Sequence, residues 1–193
     1  MFLIRHVSSG NPYRTFLIQI IDSLWETMQY IEPSEHPRAK RTPRDIYYMK
    51  LAYVISERST CIRNGRQIGA VIVNDMNHIV SSGYNGNPRN MKHCEEIGCI
   101  RDILQIPSGT KMEICTAVHA EQNAIIQAGT GAYGATIYST ILPCNTCAKM
   151  IVNAGIRRVA YSEDYPEHMG LELMRELGIR VDLVHVEKPP RIS

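Results

Sequence analysis

The chain has 193 residues, 44% of them apolar and 21% charged, enough for one sizeable core and too few for two unrelated large domains. Lys and Arg number 21 against 19 Asp and Glu, a net charge of +2, which argues against a protein that wraps a nucleic-acid backbone but suits a small anionic substrate. No run approaches the roughly 18 apolar residues of a membrane span, and Met1-Phe2-Leu3-Ile4-Arg5-His6 is too short for a signal peptide's apolar region, so a cytoplasmic protein is expected.

Leu17, Ile20, Ile21, Leu24, Met28 and Ile31 recur at helical spacing and predict an amphipathic helix over 13–31, ending before Pro33. Glu32 to Arg44 sets Pro33, Pro37 and Pro43 among Arg38, Lys40, Arg41 and Arg44, the composition of an exposed basic connector. The expected organisation is therefore an N-terminal helix and connector over 1–42 and a main domain over 43–193. Thr42-Pro43-Arg44-Asp45 has the form of a helix start, with Thr42 as cap, and predicts a helix to about Ser59. Ile68–Val73 and His78–Ser82, joined by Asn74-Asp75-Met76-Asn77, predict a hairpin. Gly83 to Thr116 is rich in Gly, Asn, Pro and Cys and reads as irregular, a length that in a compact domain is usually functional or pinned by something other than a core. Helices are then predicted at 119–129, 145–154 and 168–177, alternating with strands near 135–140, 157–161 and 180–186. That order implies an α/β layered fold, a central mixed sheet covered by helices.

Six cysteines, Cys61, Cys94, Cys99, Cys115, Cys144 and Cys147, would allow three disulfides in a secreted domain. Nothing here indicates secretion, and in a reducing compartment a Cys-x-x-Cys pair with a His points to metal ligation or redox chemistry. His119-Ala120-Glu121 opens one predicted helix and Pro143-Cys144-Asn145-Thr146-Cys147 opens the next. Imidazole and two thiolates suit Zn2+, and three protein ligands leave a fourth position for water, as in a catalytic site. Helix N-termini favour the thiolate form. Glu121 borders the metal without being needed as a ligand, which suits a general acid/base in hydrolytic deamination.

His-x-Glu with Pro-Cys-x-x-Cys is the signature of zinc-dependent base deaminases. The chain resembles the cytidine and deoxycytidylate deaminase superfamily over roughly residues 43–165, and within it the dCMP deaminase branch. Arg58-Ser59-Thr60-Cys61, Ile68 to Val73, Gly83-Tyr84-Asn85-Gly86-Asn87-Pro88 and Tyr161 to Tyr165 carry that closer likeness. The resemblance implies the cytidine deaminase-like fold with a five-stranded sheet, and conversion of dCMP to dUMP. It implies a substrate site in which Asn85 meets sugar or phosphate, Arg63 the 5′-phosphate, the Thr140 carbonyl the exocyclic amine, and Ala120 and Cys144 the pyrimidine, with Tyr165 close by. Because the segment between Cys61 and Gly69 is about two residues longer than the family's, Arg66 competes with Arg63 for the phosphate. The resemblance further implies regulation by dCTP and dTTP near Gly83, Tyr84 and Gly86 across a homo-oligomer, by analogy a hexamer. It also implies a second, structural zinc on Cys61, Cys94, Cys99 and Cys115, with His93 as a substitute ligand; buried apolar thiols are the plain alternative. The first 42 residues match nothing in the family.

Other readings stay open at this point: deamination of free cytidine or deoxycytidine, deamination of tRNA adenosine, or a noncatalytic zinc module. The Gly-Tyr-Asn-Gly element and the small net charge oppose a tRNA substrate, and Glu121 has no purpose in a purely structural site.

Overall fold

The structure, a computed structural model, describes residues 40–63, 65–107 and 110–188. The chain divides into two compact units, Met1–Arg41 and Thr42–Ser193; the helix expected at 13–31 and most of the basic connector lie outside the described residues.

Five strands, β1 (Gly69–Val73), β2 (Ile79–Tyr84), β3 (Thr136–Ile141), β4 (Arg158–Glu163) and β5 (Arg180–Leu183), form one sheet in the order β2-β1-β3-β4-β5. The β2/β1 and β1/β3 pairs are antiparallel, and the β3/β4 and β4/β5 pairs parallel. This is the mixed, helix-covered sheet expected from the alternation of elements. Every residue of β1 is buried, because helices cover both faces of the sheet and its apolar run has no solvent side to alternate toward. The hairpin turn closes through the Asn74 side chain, which accepts the His78 N–H at 2.8 Å, and Asn77 takes a left-handed φ of 65°, which asparagine tolerates.

On one face lies helix α1 (Arg44–Ser56), packing Tyr48, Met49, Ala52 and Tyr53 against Val71, Val73, Tyr138 and Ala160. Its approach is so close that a Cβ on Gly69 would overlap the Ala52 carbonyl. Pro43, and not Thr42, occupies the cap position, and no side chain caps this end. Asp45 serves a tertiary bond instead: its carboxylate takes two N–H bonds from Arg158 at 2.7 and 2.8 Å and one from the Tyr138 hydroxyl at 2.8 Å. A two-point guanidinium pair outweighs a solvent-exposed helix-end contact. The helix also stops three residues short of Ser59, its last turn tightening so that Ser59 N–H reaches the Ser56 carbonyl, while the Ser59 hydroxyl bonds to Asn85.

Two one-turn helices, α2 (Cys94–Ile97) and α3 (Ile100–Ile103), and a 3₁₀ turn at Met112–Ile114 punctuate the otherwise irregular segment after β2. The opposite face of the sheet carries α4 (Ala120–Ala128), α5 (Asn145–Asn153) and α6 (Met169–Glu176). Ala120, Ala124, Ala148, Ile151 and Met174 interlock there with Ala70, Ile72, Ile137 and Val159. The small residues matter, since alanines bring the first turns of α4 and α5 down onto the sheet.

Candidate active site

His119 and Cys144 occupy the same structural position, the residue immediately before a helix: His119 before α4 and Cys144 before α5, with Cys147 in α5's first turn. His119 Nδ1 lies 3.5 Å from Cys144 Sγ and 3.3 Å from Cys147 Sγ. Among the described residues this is the one group of His, Cys, Asp and Glu whose ligand atoms all fall within 4.8 Å of one another. The backbone N–H of His119 donates to the Gln122 side chain at 2.8 Å. Behind Cys144, Glu167 takes the Asn145 N–H at 3.2 Å and the Met169 N–H at 2.6 Å, tying the starts of α5 and α6 together.

Electrostatics favours a metal here. A hydrogen bond from the Cys147 thiol, opposed by burial and reinforced by His119, holds Cys144 down to about 4, well into the thiolate form a metal ligand needs. Cys147 is pushed up as the donor of that bond. One imidazole and two cysteine sulfurs in a triangle whose His119 and Cys144 are half-buried and whose Cys147 is buried are the donor set Zn2+ prefers. Glu121, on the first turn of α4, is only 3% exposed. Its Oε1 accepts the Ser139 hydroxyl at 3.2 Å and its Oε2 faces the Cys147 thiol at 3.6 Å. Burial raises its carboxyl, with the neighbouring His119 charge pulling the other way. A buried carboxylate beside a ligand triangle can bind and release a proton where bulk water does not compete.

Residues 42–163 match the family model of the cytidine and deoxycytidylate deaminase zinc-binding region. The chain belongs to this deaminase family. Its relatives include the deoxycytidylate deaminase of Saccharomyces cerevisiae, 33% identical over 178 residues (90% of this chain, 55% of that one), and that of Schizosaccharomyces pombe, 35% identical over 144 residues (74% and 44%). The chain thus spans about half the length of these two relatives. The ComE operon protein 2 of Bacillus subtilis is 37% identical over 146 residues, 74% of this chain and 71% of that one. Among solved structures, the dCMP deaminase of cyanophage S-TIM5 in complex with dCMP and dUMP is 29% identical with a TM-score of 0.59, over 75% of this chain and 100% of that one.

The family's other expected residues divide into those that reach the cavity and those that do not. Asn85, Arg63, Arg66, Ala120 and Tyr165 line the same cavity as His119 and Glu121. Asn85 is already engaged there: its Oδ1 accepts from the Ser59 hydroxyl at 2.7 Å and the Ile68 N–H at 2.8 Å, and its Nδ2 donates to the Arg66 carbonyl at 2.8 Å. It thereby shapes the wall that carries both arginines. Arg63 pairs with Asp102 at 2.9 Å, whereas Arg66 lies over the Tyr165 ring, 5.9 Å from its centre. Thr140 is buried behind the wall with its hydroxyl accepting the Gly69 N–H, and Ile141 and Leu142 line the cavity in its place.

Gly83 has a packing reason for being glycine, since a Cβ would strike the Ala120 carbonyl at the start of α4. Tyr84 is partly exposed, and its carbonyl receives the Asn123 side chain at 2.8 Å. Gly86 lines the cavity and exchanges two backbone hydrogen bonds with Val118, which ties the irregular segment down just before His119. Cys61, Cys94, Cys99 and Cys115 are free thiols on the same cavity wall. Burial pushes Cys61 and Cys94 up, and each also feels Cys99 and Cys115.

Sequence reasoning missed Ser139 and Glu167. Ser139 carried no signal, being one small residue inside an apolar strand. Glu167 carried one, an acid just before the predicted 168–177 helix, where a carboxylate complements helix-end N–H groups.

Proposed function

We propose that this chain hydrolyses dCMP to dUMP and ammonia, the step that supplies the precursor of dTMP. The observation that carries this reading is the convergence of His119, Cys144 and Cys147 with buried Glu121 on one cavity that also bears Arg63 and Arg66. The names of the yeast relatives and the nucleotides bound by the cyanophage enzyme support the substrate. His119, Cys144 and Cys147 would hold Zn2+, which when bound supplies the Lewis acidity that makes water reactive near neutral pH.

The remaining work falls to the chain's own groups. Hydrolysis replaces the exocyclic amine with oxygen, so protons must pass from water to the ring nitrogen and to the departing ammonia. Glu121 carries them, with Ser139 fixing one carboxylate oxygen so that the other is turned toward the ligand triangle. Arg66, over the Tyr165 ring, and Arg63, paired with Asp102, both face the cavity and are the two guanidinium groups that can serve the 5′-phosphate. Asn85 serves by fixing the backbone between Ser59 and Ile68. Offering dCMP, dCTP, deoxycytidine, CMP and a tRNA anticodon stem in parallel tests the reading: preferred ammonia release from dCMP is expected, and preference for another substrate contradicts it.

The second zinc belongs to the same proposal. Cys61, Cys99 and Cys115, with Cys94 or His93, would hold it. The four thiols line one cavity wall, without three of them lying as close together as the His119 triangle, and His93 Nδ1 is buried with no hydrogen-bond partner, a group a metal would satisfy. Elemental analysis should give two zinc per chain in the native protein and one in the Cys99→Ser variant; one in the native protein contradicts it. Assembly as a homo-oligomer, by family analogy a hexamer, with dCTP and dTTP acting at Gly83, Tyr84 and Gly86, completes the reading, and an activity unmoved by either nucleotide would remove the regulatory part. No described helix is long and apolar enough to cross a membrane, which is compatible with a cytoplasmic enzyme.

A further inference from the structure

Arg101 is 4% exposed, and no carboxylate among the described residues pairs with it. Burying a guanidinium is costly unless its N–H groups are met. Here they are met by backbone: Nη2 donates to the carbonyls of Pro107 and Thr110, both at 2.7 Å, and Nη1 to the carbonyl of Lys111 at 2.9 Å and the Met112 thioether at 3.7 Å. Lys111, one of the residues so gathered, and Gln105, two residues before Pro107, are side-chain-bearing residues in left-handed conformation, at φ 44° and 51°. Such residues persist only where their surroundings overdetermine them. Met112, next in line, receives the Tyr165 hydroxyl at 3.4 Å, and Arg101, Met112 and Tyr165 all line the cavity that holds Glu121.

We propose that Arg101 is a positioning residue of the active site: its planar fork gathers three carbonyls into one wall and thereby seats Met112 against Tyr165 on the substrate side. The fork is the essential feature, because a lysine ammonium cannot reach three divergent carbonyls and a thioether from one rigid plane. This rests on the dCMP reading for its kinetic consequence but not for its structural one, and the two are tested separately.

The zinc-loaded full chain is compared with Arg101→Lys and Arg101→Met by hydrogen exchange and by steady-state kinetics on dCMP. Exchange over residues 105–116 should accelerate about tenfold or more in both variants, with the sheet unchanged. KM should rise about tenfold while kcat stays within about threefold and zinc content is constant. Unchanged exchange, an Arg101→Lys protein indistinguishable from native, or a fall in kcat at constant KM overturns the proposal. Should neither Arg101 variant fold, Met112→Ala keeps the three carbonyl bonds and removes the Tyr165 contact; a raised KM supports the assignment and an unchanged one overturns it. A native protein inactive on dCMP sinks the functional reading alone, since exchange still decides the positioning claim.

Discussion

Tyr138 and Ser139 are neighbours on β3, yet they point to opposite faces of the sheet and into opposite kinds of chemistry. On the α1 face, Tyr138 joins Asp45, Arg158 and Asp182 in a cluster where every charge is matched: Arg158 holds Asp45 at 2.7 Å and Asp182 at 2.6 Å, and both acids sit below the ordinary carboxylate range. For Asp45 the leading cause is the Arg158 hydrogen bond; Asp182 is lowered by Arg158 and Arg180 against its own burial. On the α4 face, Ser139 supports Glu121, a buried carboxylate that forms no ion pair with an arginine or lysine among the described residues, next to a thiolate-imidazole triangle. Matched charge makes a rigid pin, whereas unmatched charge in a cavity makes a site that takes up a metal and a proton.

If that contrast is right, the two faces fail differently when cut. Cys144→Ser should give the largest effect, abolishing measurable deamination and catalytic-site zinc by elemental analysis while leaving the circular dichroism of the sheet and helices intact. Ser139→Ala should lower kcat roughly tenfold, about 1.4 kcal/mol of lost positioning, with KM nearly unchanged. Arg158→Met, on the other face, should leave kcat and KM within about twofold but cost about 2 kcal/mol of stability in denaturant unfolding, because two carboxylates lose a shared partner. The smallest effect is in pH. Since the folded pKa values of Asp45 and Asp182 are depressed, their stabilisation is present above about pH 4 and is lost as pH falls through the lowered values. Arg158→Met should therefore show a flatter acid limb in unfolding than the native chain, and an equally steep limb would show that this cluster is not what acid undoes.

The sequence made one half of this comparison readable and hid the other. Strand β1 and helices α4 and α5 were legible because their signals are local: an apolar β-branched run, and His-x-Glu and Pro-Cys-x-x-Cys at successive helix starts. The pin on the α1 face was illegible because Arg158 meets Asp45 across 113 residues of chain; Asp45 keeps its place in the first turn of α1, but its carboxylate faces Arg158 and Tyr138. Ser139 and Arg101 were illegible for a related reason. Each acts through a partner fixed by tertiary packing, Glu121 on another element and the carbonyls of the 107–111 segment, and a backbone carbonyl leaves no residue type to read. Glutamates, by contrast, can declare themselves by position, as Glu167 does just before α6, where its carboxylate meets helix-end N–H groups.

The most direct test is Glu121→Gln, made in the full chain, with zinc content and dCMP turnover measured on the same preparation. Zinc stoichiometry equal to the native protein with kcat reduced about 10² to 10⁴-fold is the predicted result. Turnover within a few-fold of native at full zinc occupancy would contradict the account, because the buried carboxylate beside the triangle would then not be the group that moves the protons.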